Sequence, residues 1–114
     1  RTHWSIGLDV TTKVTMHKDE VSKKFTHPLL KPVLDFAGVW FERSDIITFH
    51  DPLAATLIFE PTLCTFERGR IEVDQSPTDQ LGRTTLTRDN TGSHEAAMTV
   101  NPSRFFEHYF GVFE

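Results

Sequence analysis

Two adjacent side chains able to do acid–base and metal chemistry, His50 and Asp51, sit in the run SDIITFHDPLAAT, residues 44 to 56. The β-rich residues Ile46, Ile47, Thr48 and Phe49 precede them, and an apolar, helix-like run follows. An imidazole can donate a proton near neutral pH, and a carboxylate can hold a hard cation through oxygen. The end of a strand and start of a helix is also where open α/β sheets bind ligands. The same two residues have a purely structural reading. Asp51 followed by Pro52 is a favourable helix start, in which the carboxylate is the N-cap and accepts orphan backbone N–H groups, with proline at the first helical position. Spacing alone leaves both readings open.

Other candidates carry less. His3, His17, His27, His94 and His108 show no pairing at metal-ligand spacing, and neither HExxH nor CxxC occurs. Asp9, in GLDVT, is either functional at a strand end or a hydrogen-bonded turn residue, the commoner role for such an aspartate. No phosphate-cradling loop and no GxSxG elbow is present. Trp40 and Phe41 read most simply as packing residues, with stacking against a planar ligand as the less common alternative. Cys64 is the single cysteine, which excludes an internal disulfide, fits a reducing compartment and reads as a buried, inert thiol.

The elements that must position these residues fit one domain, residues 1–114, or the C-terminal segment of a larger one. A chain of 114 residues can bury about 65 % of the surface its unfolded form exposes. Ten Phe residues suggest large side chains packed between layers. The net charge is −4 and the 12 Lys and Arg residues are scattered, so nucleic acid is not expected as a partner. No apolar run approaches the ~20 residues of a membrane span, and the start, RTHWSIGLDV, has no signal-peptide h-region. A cytoplasmic protein, with no membrane partner, is therefore expected. The first residue is Arg rather than Met, which suggests a piece of something longer.

Along the chain, WSIGLDV reads as a short buried strand ended by Thr11 and Thr12. TMHKDEVSKKF reads as a helix with Thr15 as N-cap and Val21 and Phe25 at i, i+4, broken at His27-Pro28. From Leu29 to Arg43 the residues Leu30, Val33, Leu34, Ala37, Trp40 and Phe41 form one apolar stripe, which predicts a helix with Pro32 in its first turn. Ile46 to Phe49 is a short extended piece, and PLAATLIFE is a helix closed by Pro61. RIEVDQ and RTTLTR flank SPTDQLG and predict an antiparallel hairpin. NTGS is a turn, HEAAMTV a strand, and NPSRFFEHYF a helix opened by Asn-Pro with a broad aromatic face. Alternating strands and helices with an inserted hairpin make the class α/β.

The succession GLDVTTKV (Gly7 to Val14), a helical stretch with paired aromatics, FHDPLAATLIFEP (Phe49 to Pro61), a hairpin, and a closing strand with NPSRFFEHYF resembles the C-terminal portion of the inosine-uridine nucleoside hydrolases, over nearly the whole chain. The resemblance implies the C-terminal part of an open, mixed-sheet, three-layer fold. It also implies calcium-dependent hydrolysis of the N-glycosidic bond of a purine or pyrimidine ribonucleoside, as in nucleoside salvage, to ribose and free base. Asp51 matches the family's calcium-ligating aspartate, and His50 matches the histidine that protonates the departing base. The region around Trp40 and Phe41 resembles the helix lining the base pocket. An acid beside the leaving base suits a reaction that builds negative charge there. A calcium ion takes about 6–8 oxygen ligands and can hold both ribose hydroxyls and water.

The Asp-rich DxDxGxDD motif that supplies the family's water-activating base and further calcium ligands is absent from these residues, as are the mid-chain Asn and Glu that grip ribose. Calcium would thus be shared with residues not in this chain, from a missing N-terminal part or a homo-oligomer, and this chain alone is expected to hydrolyse nothing. A truncated, non-catalytic binding or assembly module of the same fold is the alternative.

Overall fold

The computed structural model describes residues 3–114. Four strands form a mixed sheet in the order β1 (His3–Ser5), β6 (His94–Val100), β4 (Cys64–Val73), β5 (Thr84–Arg88). β1 runs parallel to β6, and the other pairings are antiparallel. A second, two-stranded antiparallel sheet joins β2 (Thr15–His17) to β3 (Ile46–Thr48). The helices are α1 (Leu8–Thr11), α2 (Lys18–Lys24), α3 (Lys31–Trp40), α4 (His50–Thr56) and α5 (Pro102–Gly111).

The hairpin expected from RIEVDQ and RTTLTR is present, with Arg70 opposite Thr87 and Val73 opposite Thr84. Its loop closes when Gly82 N–H donates to Asp74 O at 2.8 Å, and Gly82 takes φ +83°. Glycine alone adopts that left-handed geometry without steric cost. α5 begins as its Asn-Pro signal implies, with Asn101 Oδ1 accepting from Arg104 N–H at 3.1 Å.

Three expectations are corrected. The strand expected over WSIGLDV ends at Ser5, and residues 8–11 form a helical turn in which Val10 and Thr11 N–H both donate to Gly7 O. Thr15 is not an N-cap: Thr15–His17 pair with Ile46–Thr48, and His17 caps α2 instead. A cross-strand partner some thirty residues away overrides the local helix signal. α3 stops at Trp40 rather than Arg43, although Pro32 does occupy its first turn.

The core gathers Val10, Val14, Val21, Leu53, Leu57 and Phe105, all at or near zero exposure. Phe49 is the centre of an aromatic cluster, edge-to-face with Phe25, Phe105, Phe106 and Tyr109 at centroid distances of 5.1–6.3 Å. The single cysteine, Cys64, is buried and free, as expected.

The surface is unusually large. The accessible area is 8104 Å², against about 6,400 Å² for a folded monomer of this mass. The radius of gyration is 16.5 Å, against about 13 Å for a compact domain of this length. Large apolar side chains are exposed on it, including Phe36, Phe59 and Ile58. Among the described residues no helix is long and apolar enough to cross a membrane.

Candidate functional site

The end of β3 is fixed from two sides. Phe49 N–H donates to Val14 O at 2.9 Å, extending the pairing with β2, and the Phe49 ring is locked in the core. His50 is therefore delivered at a fixed point, as the first residue of α4. Phe49 is the N-cap residue, and no side chain caps the helix. The cap reading of Asp51-Pro52 is thus corrected: the helix starts one residue earlier, and Asp51 lies exposed in its first turn. There the carboxylate still faces the positive end of a short helix, but it makes no capping hydrogen bond.

His50 is half-buried, and its Nδ1 lies 2.7 Å from the Thr11 hydroxyl. Thr11 is 4 % exposed, held in α1 by its backbone bond to Gly7 O. His50 also lines a groove of about 390 Å³ with Val33, Phe36, Ala37 and Trp40 of α3 and Ile47 and Thr48 of β3. The Trp40 indole N–H donates to Ile46 O at 2.7 Å, which ties the end of α3 to β3 and fixes one wall. The groove is thus chiefly apolar and aromatic, with one imidazole at its edge. That combination suits a planar, heteroaromatic group that stacks and exchanges a proton.

Trp40 and His50 come together. Phe41 packs on the core instead of the groove. Asp9 lines a separate depression with Arg83, Leu86 and Met98. His17 and His27 use Nδ1 to accept backbone N–H groups at helix starts, from Asp19 and Leu29. Thr11 escaped sequence reasoning because its partner is 39 residues away.

The apolar stripe of α3 is only half core. Leu30 and Ala37 are buried, whereas Val33 and Trp40 are exposed and line the groove.

A calcium ion needs about 6–8 oxygens, and among the described residues no group of three or more His, Cys, Asp or Glu side chains converges. Asp51 alone does not make such a site, so these residues do not by themselves fit the ion.

No family model and no curated protein matches the chain. Solved structures do. The purine-preferring ribonucleoside hydrolase from Gardnerella vaginalis superposes with a TM-score of 0.76 at 23 % identity, covering 96 % of this chain and 38 % of that one. A plant nucleoside hydrolase, the PpNRh1 enzyme, gives 0.72 at 16 %, covering 95 % and 40 %. The chain therefore has the fold of a portion of the nucleoside hydrolases, as its sequence resemblance implied. It spans about two-fifths of the length of these hydrolases.

Proposed function

We propose that this chain carries the leaving-base side of a ribonucleoside hydrolase site, with His50 as the proton donor. The observation that supports this most is the groove itself: an imidazole at the edge of an aromatic slot, in a fold shared with ribonucleoside hydrolases. The base lies against Trp40 with its departing ring nitrogen at His50. As the C1′–N bond breaks, its electron pair goes to the base, and the proton on His50 Nε2 passes to that nitrogen. Water adds at C1′, and the proton it releases passes through solvent to restore the one His50 gave, so nucleoside and water become ribose and free base. General acid help of this kind is worth ~10²–10⁴-fold.

Asp51 is proposed as one oxygen ligand of a calcium ion whose other ligands lie outside these 114 residues, in further sequence or another chain. The exposed apolar surface fits such a covering partner. A free Cys64 fits a cytoplasmic setting.

The test is ribose release from inosine, uridine and cytidine, with and without calcium, on the longest available form. His50→Ala is expected to cost two to four orders of magnitude, and Asp51→Ala to abolish the calcium response. Wild-type turnover with Asp51→Ala overturns the metal assignment. That no group of three or more ligating side chains converges among the described residues favours a second reading, a non-catalytic module, which is supported if the complete protein binds nucleoside without releasing ribose.

A further inference from the structure

We infer that Thr11 is the positioning residue for His50: its hydroxyl grips Nδ1 and thereby presents Nε2 to the groove. The inference rests on the reading of His50 as proton donor. Threonines in helices commonly spend the hydroxyl on the carbonyl four residues back. Thr12 and Thr56 do so, donating to Leu8 O at 2.6 Å and Pro52 O at 2.7 Å. Thr11 does not follow them; its hydroxyl meets His50 Nδ1 at 2.7 Å, across 39 residues of sequence.

The grip is rigid at both ends. Thr11 is buried at 4 % exposure, and its N–H and C=O are engaged by Gly7 and Val14. His50 follows Phe49, itself 3 % exposed.

A histidine ring that flips about its second side-chain torsion exchanges nitrogen for carbon at each edge. In the flipped ring a C–H would face the Thr11 oxygen and the bond would be lost. One hydrogen bond of this kind biases the two orientations by roughly tenfold. The hydroxyl can also accept from Nδ1–H or donate to a bare Nδ1. When His50 donates, the Nε2–H bond breaks and an N–H bond forms on the leaving base. The other proton stays on Nδ1, hydrogen-bonded to Thr11, whose own O–H is unchanged throughout. Thr11 touches no substrate; it acts through the ring.

The experiment compares Thr11→Val, Thr11→Ser and His50→Ala in the full-length protein, on inosine and on a riboside with a 4-nitrophenolate leaving group, which departs without a proton. Thr11→Val keeps the shape and removes the hydroxyl. It is expected to lower kcat on inosine roughly tenfold with KM little changed, to leave the nitrophenyl riboside within about twofold, and to be rescued by Thr11→Ser. Nuclear Overhauser contacts of the His50 ring protons should show one ring orientation in the parent and both orientations in Thr11→Val. Equal loss on both substrates, or no rescue by serine, would assign Thr11 a merely structural role and overturn the inference. If His50→Ala discriminates between the substrates while Thr11→Val behaves as wild type, the inference falls and the reading of His50 stands. If His50→Ala shows no discrimination, that reading falls too.

Discussion

Replacing Phe49 by alanine tests whether the aromatic cluster holds the histidine in place. The ring is 3 % exposed, and burying a phenylalanine removes about 150–250 Å² from water, worth roughly 4–6 kcal/mol at 25 cal/mol per Å². Its four neighbours stand edge-to-face at interplanar angles of 67–86°, a geometry that adds about 0.5–1.5 kcal/mol per pair without strict additivity. Collapse of the cavity offsets part of this, so the expected loss is about 3–5 kcal/mol. Urea denaturation followed by circular dichroism should show it as a fall in midpoint at constant slope, with Phe49→Leu falling between the two. A loss below about 1 kcal/mol would mean that the cluster is not what fixes the end of β3.

Trp40→Ala is expected to raise KM for nucleosides more than it lowers kcat, and to remove most of the tryptophan fluorescence quenching that nucleoside binding causes; persistence of the quenching, carried by Trp4, would contradict the stacking role. Stability should fall in alkali. Burial pushes the Cys64 thiol above its ordinary 9.0 and the Tyr109 hydroxyl above its ordinary 10.0. As pH rises through those ordinary values the unfolded chain loses protons that the folded chain keeps, so the fold is progressively disfavoured. The urea midpoint is therefore expected to be flat from pH 7 to 8.5 and to drop by pH 10, less so in Cys64→Ala; a midpoint that rises would refute it.

The sequence was most legible where a local signal and the tertiary structure agree. Asn101-Pro102 opens α5, and the alternation in RIEVDQ and RTTLTR forms the β4–β5 hairpin. It was least legible where distant partners decide. Thr15 looks like a helix cap until β3 offers Thr15–His17 a ladder. Asp51-Pro52 carries a strong start signal, yet α4 begins at His50 because the Phe49 backbone is held by Val14. Periodicity placed Val33 and Trp40 on an apolar stripe, but it cannot separate a core face from a groove wall. His50 stands out as a candidate by residue type and motif, whereas its contact with Thr11 needed coordinates, since nothing in GLDVTT announces a partner at residue 50.

The most direct measurement of whether His50 protonates the departing base is the ratio of wild-type to His50→Ala turnover on two substrates, inosine and the 4-nitrophenyl riboside, in the full-length protein with calcium. If His50 supplies the leaving-group proton, the ratio is at least about a hundredfold on inosine and near one on the nitrophenyl riboside. The same ratio on both substrates would show that His50 does something other than protonate the base.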